Sequence, residues 1–320
     1  ICVLSDLSLL EKRERERERG KNVEQREQRV MMMRNGACRL LRVDRSYGYT
    51  TRVAITGASG IIGSRIYHAL EKEGYECIGI SDGIDRSQGG PGRSGSDEIN
   101  RDLVDRVADV SCSSSSHGMF QDCTHVIHLA GDGRPDASFE DVLKTNIMGT
   151  YNVLEEAKRV GAQRVVFAST NHTQHGITMD PSLGPGSIDR SRLVRRMKVS
   201  DVAFPDSYYA VSKLCGEDIG KYYSETRSCF DFVALRIGWC LYDDPTELKG
   251  TEFEDYLRAM YLSRRDCVNF VKAALKVSLG SRRYACAYAV SDNSTRIFDL
   301  EETTNILGYH PMDSSDSFDW

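Results

Sequence analysis

Tyr209 and Lys213 stand four residues apart in a stretch of helical periodicity, Tyr208 to Thr226, and that spacing puts both side chains on one helical face. A phenol beside an ammonium is a proton-transfer pair. A free phenol ionises near pH 10, so a tyrosine working as a base near neutrality needs that value lowered by roughly three units, or about 4 kcal/mol. The ammonium, helped by a positively charged cofactor ring, could supply this. Hydroxyls form a second candidate group: Ser169 and Thr170 follow an apolar β-branched run that starts at Arg164, and strand alternation lets only one of them face Tyr209. Each feature has an ordinary alternative, since Tyr–Lys pairs arise by chance in helices and hydroxyls at strand ends often serve only a turn.

A phosphate-binding loop precedes these residues. Gly57-Ala58-Ser59-Gly60-Ile61-Ile62-Gly63 follows the apolar run Arg52 to Thr56 and opens the amphipathic stretch Ile61 to Gly74. Gly57 permits a tight turn, Gly60 lets backbone approach a pyrophosphate, Gly63 allows close helix–strand packing, and the helix N-terminus favours the phosphate charge. Ser59, Ile61 and Ile62 complete this cradle. Asp82 closes the next run, Glu76 to Ser81. A carboxylate there accepts hydrogen bonds from adenosine ribose hydroxyls and repels a 2′-phosphate, so NAD is expected over NADP.

The elements needed to position these groups are legible as β-branched runs alternating with helical periods. Strands are expected at Arg52 to Thr56, Glu76 to Ser81, Thr124 to Leu129, Arg164 to Ala168 and Phe232 to Ile237, and helices at Ile61 to Gly74, Phe139 to Val160 and Tyr208 to Thr226. The expected fold is α/β: a Rossmann-type doubly wound parallel sheet with small C-terminal substrate-binding elements. The Gly-Ser-rich segment Gly83 to Ser96 and the run Cys112 to Ser116 read as surface loops. Residues 51–320 are expected to form a single NAD-binding domain, with substrate-binding elements at about 171–206 and 239–320. Residues 1–50 are expected to be a disordered or extrinsic extension, because the tract Glu11 to Arg29 has Val23 as its only apolar residue and offers no face to bury.

At 320 residues, 40% hydrophobic and 28% charged, the chain can bury one sizeable core. Its formal net charge of -5 gives no basic footprint, so a small-molecule partner is expected and nucleic acid is not. No run approaches the roughly 18 apolar residues of a membrane span, so no membrane partner is expected. Ten cysteines without a C-x-x-C pair suit a reducing, cytoplasmic setting. The sequence leaves a homo-oligomer open. No metal is expected: His172 and His175 could form a pair, but no third ligand accompanies them.

The spacing G-x-x-G-x-x-G resembles the short-chain dehydrogenase/reductase superfamily. Within it, His128-Leu129-Ala130-Gly131-Asp132, Phe167-Ala168-Ser169-Thr170-Asn171-His172-Thr173, Ser207-Tyr208-Tyr209-Ala210-Val211-Ser212-Lys213, Leu235-Arg236-Ile237-Gly238 and Leu262-Ser263-Arg264-Arg265-Asp266-Cys267 are similar to the extended NAD-dependent epimerase/dehydratase group. The likeness is to its uronate dehydrogenases and the archaeal NAD-dependent glucose-6-phosphate dehydrogenases. The resemblance implies that Asp102 and Leu103 contact the adenine, that Leu129, Ala130 and Gly131 turn over the cofactor, and that Lys213 binds the cofactor as well as serving Tyr209. It implies Thr170 rather than Ser169 as the catalytic hydroxyl, with Asn146 supporting the proton relay. It also implies that Asn171 and His172 bond sugar hydroxyls, and that Arg236 holds an anionic group through its planar fork. The implied reaction oxidises the anomeric hydroxyl of a sugar acid or sugar phosphate to a lactone, with hydride passing to NAD.

Two departures stand out: the family's catalytic hydroxyl is usually Ser, and the segment between His172 and Ser207 is long, carrying Arg190, Arg192, Arg195, Arg196 and Lys198. That basic loop could reach a phosphate or form a solvated face. Trp239 could stack on a sugar or belong to a core or lid. The competing functions are an NAD-recycling nucleotide-sugar epimerase or dehydratase, and an NAD-sensing binding protein without turnover.

Overall fold

In the computed structural model, which describes residues 51–83, 101–179, 182, 188–241 and 244–320, strands and helices alternate along the chain. The strands are β1 (Arg52–Thr56), β2 (Glu76–Ser81), β3 (Arg106–Val107), β4 (His125–His128), β5 (Arg164–Thr170), β6 (Asp231–Ile237) and β7 (Tyr284–Ala289). The helices are α1 (Ile61–Lys72), α2 (Ser113–Ser116), α3 (Phe139–Val142), α4 (Gly149–Val160), α5 (His172–His175), α6 (Tyr208–Lys221), α7 (Glu254–Met260), α8 (Arg264–Lys276) and α9 (Glu301–Leu307). The strands form one 7-stranded sheet in the order β3-β2-β1-β4-β5-β6-β7. Every pairing in it is parallel. The order reverses between β1 and β4, and in open parallel sheets that switch point leaves a crevice at the strands' carboxyl ends.

Strand alternation divides the core into two layers. Val53 and Ile55 of β1, with Val166, Val233 and Leu235, pack under Ile66 and Leu70 of α1 and Phe270, Val271 and Ala274 of α8. Ala54, Val126, Val165, Phe167, Phe232 and Ala234 face the other way, against Val153, Leu154 and Ala157 of α4. Each fully buried large side chain here contributes about 1.5–3 kcal/mol by leaving water. Helix α6 lies close on this second layer because Gly216 and Gly220 have no Cβ; one built at either position would collide with the rings of Phe167 and Phe232. A third cluster, Met197, Tyr256, Met260, Tyr288, Val290 and Phe298, ties the C-terminal segments to the segment preceding α6.

The five expected strands are all present, with β4 a residue shorter at each end and β5 running on to Thr170. Strands β3 and β7 were not legible: β3 is two residues long, and Tyr-Ala-Cys-Ala-Tyr-Ala in β7 has no β-branched residue. The serine run is corrected from loop to helix, since Ser113–Ser116 form one turn. The long helix expected from Phe139 is interrupted by a π turn at Leu143–Met148. The second of two compact units spans Tyr49–Trp320. The extension expected at 1–50, and residues 84–96 of the expected Gly-Ser loop, lie outside the described residues.

Candidate active site

The glycine loop leaves β1 at the switch point. Gly57 has φ +73, a conformation that L side chains rarely adopt, and a Cβ there would stand 2.9 Å from the Ala130 amide nitrogen. At Gly63 a Cβ would run into the Gly57 carbonyl, so its absence lets α1 begin directly against the loop. Ser59 and Ser81 share a hydroxyl hydrogen bond of 3.0 Å across the ends of β1 and β2, and Asp82 follows immediately. The Leu129-Ala130-Gly131 turn is held from below: Thr56 Oγ1 accepts from the amides of Leu129 and Ala130, each at 3.2 Å, and lies 2.8 Å from His128 Nδ1. With both amides donating to it, the Thr56 hydroxyl donates its proton to Nδ1, leaving His128 Nε2–H for Thr150 Oγ1 at 3.1 Å. Burial, with Lys213 nearby, pushes the His128 pKa down to about 3, so this support stays neutral.

Tyr209 and Lys213 project from the first turns of α6, which Ser207 caps by accepting from the Ala210 amide at 3.2 Å. The Lys213 ammonium sits 5.0 Å from the centre of the Phe167 ring and 5.9 Å from that of Tyr209. Asn146 comes from the π turn, a deformation frequent at functional sites. Its Oδ1 accepts from the Asp132 amide at 2.7 Å, while Nδ2 donates to the Asp132 carbonyl and to Ser212 Oγ, both at 2.9 Å. It therefore fastens the loop after β4 to the helix carrying Tyr209. A Cβ at Gly131 would lie 2.9 Å from Asn146 Oδ1 and 3.4 Å from Lys213 Nζ, so these three expected residues converge.

Adjacent Ser169 and Thr170 part company as alternation requires. The Ser169 hydroxyl donates to Glu217 Oε1 at 2.5 Å. Thr170 instead hydrogen-bonds toward Tyr209. Burial pushes the Tyr209 pKa up to about 12, and the Thr170 contact only partly opposes this. Burial also brings Lys213 down to about 8. In the protein alone, then, burial outweighs whatever lowers the tyrosine.

Beyond Thr170, Asn171 and His172, the cap and first residue of α5, lie at the same end of the sheet. Asn171 is 2% exposed and donates from Nδ2 to the Tyr256 hydroxyl at 3.0 Å. His172 Nδ1 lies 2.6 Å from Asp206 Oδ2, and Nε2 lies 3.1 Å from the Tyr256 hydroxyl. Burial would raise the Asp206 carboxyl, but the hydrogen bond from His172, with a second from Ser207, holds it below its usual value. Its neighbour His175 pairs with Thr178 at 3.0 Å, and burial takes its pKa down to about 4. Among the described residues no cluster of His, Cys, Asp and Glu could hold a metal.

Two expectations are corrected. Arg236 does not present a free fork to an anion: it is 5% exposed, and Nε and Nη2 donate to the two Glu217 oxygens at 3.0 and 2.9 Å. Strand alternation turns it to the Ser169 side of the sheet, where it also lies over the Tyr288 ring. Asp102 and Leu103 precede β3, on the amino side of the edge strand. Leu103 is spent on the α1 core layer with its carbonyl against Gly79. The residues that leave the carboxyl end of β3 are Ala108, Asp109 and Val110.

The arginines of the basic loop are paired, two within the loop and two with residues outside it. Arg190 reaches Asp255 at 2.7 Å, Arg192 reaches Asp189 at 3.0 Å, Arg195 reaches Asp201 at 2.7 Å, and Arg196 donates to the Ser294 carbonyl at 3.1 Å. Trp239 packs against the Phe253 and Tyr256 rings, consistent with its core or lid alternative. In the Leu262–Cys267 segment, Asp266 is fully buried and anchors the C-terminal tail, accepting from Tyr309 Oη at 2.6 Å, Ser291 Oγ at 2.7 Å and the amides of Met312 and Asp313. Asp206, Tyr256 and Glu217 escaped the sequence reading. The Pro-Asp before the Ser207 cap was the one local signal for Asp206, and nothing linked it to a histidine 34 positions earlier.

A glycine cradle at the switch point, a carboxylate after β2, and Tyr209 and Lys213 of α6 near Thr170 at the end of β5 together have the form of a dinucleotide-binding domain. Residues 53–238 match the NAD dependent epimerase/dehydratase family, and the chain belongs to that family. It is 35% identical over 267 residues to an L-arabinose 1-dehydrogenase (NAD(P)(+)) of Haloferax volcanii, covering 82% of this chain and 97% of the relative. It is 30% identical to an NAD-dependent glucose-6-phosphate dehydrogenase of the same organism, covering 83% and 95%. Among solved structures, glucuronic acid dehydrogenase from Chromohalobacter salexigens superposes with a TM-score of 0.64 at 28% identity, covering 84% of this chain and 87% of that one.

Proposed function

We propose that the chain is an NAD-dependent sugar dehydrogenase that oxidises the anomeric hydroxyl of a cyclic sugar to a lactone. The observation that carries this reading is the convergence of Tyr209, Lys213, Thr170 and Asn146 beside a loop that only glycines can form. The residues present fit a dinucleotide: Gly57, Gly60 and Gly63 with Ser59, Ile61 and Ile62 would hold the pyrophosphate at the α1 N-terminus, and Asp82 the ribose hydroxyls. Leu129, Ala130 and Gly131 would lie over the cofactor and Lys213 beside it. Bound NAD supplies the hydride acceptor.

The chain's own residues move the proton. Tyr209 accepts it from the anomeric hydroxyl, and Thr170 bonds the same oxygen as its charge changes. Lys213 stabilises the phenolate electrostatically, and Asn146 holds the helix and loop in register. With burial the main cause holding Tyr209 at about 12, a further positive charge entering the site favours the phenolate. Asn171 and His172 would contact the sugar. Residues 51–320 act as one NAD-binding domain whose substrate elements come from about 171–206 and 239–320. A cytoplasmic setting fits the family reading, and among the described residues no helix is long and apolar enough to cross a membrane. Exposed Phe139, Leu143, Met148 and Tyr151 with Tyr208 and Val211 give the α3–α4 segment and α6 an apolar surface suited to a homo-oligomer.

The relatives' names support sugar oxidation, and the first accepts NAD(P), which makes cofactor choice a test of Asp82. The experiment is NADH formation by purified protein with aldoses, uronates and hexose phosphates, with the sugar product identified. Stoichiometric NADH and aldonolactone, or its hydrolysed acid, are expected. An epimerised sugar without net NADH would replace this reading with the epimerase alternative, and a strong NADP preference would overturn the role of Asp82.

A further inference from the structure

The hydrogen bonds around His172 can be assigned a direction, because one end of the chain has no choice. Asp206, held ionised, can only accept. His172 Nδ1, 2.6 Å from Asp206 Oδ2, must therefore carry a proton. The Tyr256 oxygen takes a proton from Asn171 Nδ2 at 3.0 Å, so its own proton points to its other partner, His172 Nε2, 3.1 Å away, which meets it with a bare lone pair. Asn171 Oδ1 in turn faces the Thr170 hydroxyl at 3.4 Å. Asp206 also accepts from Ser207 Oγ at 2.8 Å on its other oxygen, which fixes the carboxylate at the start of α6. The titratable groups facing His172 are Asp206, His175 from α5, Tyr209 from α6 and Tyr256 from α7, the last three with ring centres 5.8, 6.0 and 6.0 Å away.

We propose that Asp206 is a positioning residue that locks His172 in its Nδ1–H tautomer, so that Nε2 offers an acceptor filled by the Tyr256 hydroxyl in the free protein and by a donating sugar hydroxyl in the substrate complex. The inference rests on the dehydrogenase reading for its substrate half and on the ionised Asp206 with its hydrogen-bond geometry for the tautomer. It has a consequence for recognition. A bare lone pair backed by a carboxylate attracts a hydroxyl proton and repels an anionic oxygen, so an acid or phosphate group on the sugar points away from His172. Tyr256, brought by α7 into contact with both Asn171 and His172, is the group the sugar replaces or shares. Loss of the lock leaves the ring free to present N–H instead, weakening sugar binding without touching the reacting atoms.

The test is the nitrogen-15 spectrum of histidine-labelled protein, read together with steady-state kinetics on Asp206→Asn. In the unmutated protein near pH 7.5, His172 should show a protonated Nδ1 and an unprotonated Nε2. Asp206→Asn, whose amide can donate to Nδ1, should shift the ring toward the Nε2–H form. It should raise the sugar KM about tenfold, the scale of one hydrogen bond to a neutral partner, with kcat changed less than about threefold and NAD affinity unchanged. Asp206→Glu should restore most of the KM. A bare Nδ1 or a tautomer mixture in the unmutated protein would overturn the lock whatever the turnover, and that spectrum decides the matter even if the variant fails to fold. An intact Nδ1–H signal in a protein that oxidises no sugar would overturn the dehydrogenase reading instead, and with it the substrate half of the inference.

Discussion

Two polar clusters grow from adjacent residues at the end of β5 and end differently. On one side Ser169, Glu217 and Arg236 form a closed unit in which both carboxylate oxygens, the guanidinium and the hydroxyl are bonded to one another, with both charged side chains 6% exposed. On the other, Thr170, Tyr209, Lys213 and the Asn171–His172–Asp206–Tyr256 chain leave capacity unspent: an acceptor on His172 held by a replaceable tyrosine, and an ammonium resting over aromatic rings. The lesson is that an arginine at the end of a strand is a poor pointer to a substrate anion when a glutamate lies within reach. A buried pair already satisfied is part of the fold. A site is where donors and acceptors are oriented but not exhausted.

The sharpest break between the clusters is kinetic. Tyr209→Phe should lower kcat by about 10³-fold or more, within the range for a lost general base, with NAD affinity intact by titration; a variant keeping a tenth of the activity would move the chemistry elsewhere. Glu217→Ala comes next, and its effect should be on stability. Stranding a buried guanidinium costs about 3–5 kcal/mol, read as a lower urea midpoint, with the sugar KM of the folded fraction unchanged. A selective rise in KM in a stable Glu217→Ala protein would return Arg236 to the substrate. Smaller still is the contrast between neighbours: Thr170→Val should cost about 10- to 100-fold in kcat, whereas Ser169→Ala should cost about 1 kcal/mol of stability and little activity.

The smallest expected effect concerns acid. His125, His128 and His175 are held neutral, with burial the main cause, at about 4, 3 and 4. Below about 6.5 the unfolded chain takes up protons that the native state refuses, so stability is lost as pH falls from there toward 4. The thermal midpoint should decline across that window. His125→Gln, remote from the site at the start of β4, should flatten the decline while leaving kcat unchanged.

Much of the frame was legible because its signals are local. Gly57 through Gly63, Asp82 and the Tyr209–Lys213 spacing each lie within a turn of their neighbours, and the β-branched runs mark five strands. What was lost depends on distance or on packing. The Asp206–His172 contact joins residues far apart in sequence, and Tyr256 enters from a helix whose pattern carried no chemical mark. The resemblance assigned the adenine contact to Asp102 and Leu103, but both precede β3, and a two-residue strand leaves no periodic mark by which the residues at its carboxyl end could be read. The resemblance put Arg236 on a substrate anion, and nothing local in the sequence links it to Glu217, which reaches it from α6.

The most direct measurement of the central claim uses a sugar deuterated at the anomeric carbon. If Tyr209 removes the hydroxyl proton while that carbon gives up hydride, the reduced cofactor must carry the deuterium, seen as one added mass unit, and the sugar must emerge as unlabelled lactone. Deuterium retained in the sugar, or lost to water, would contradict anomeric oxidation at this site.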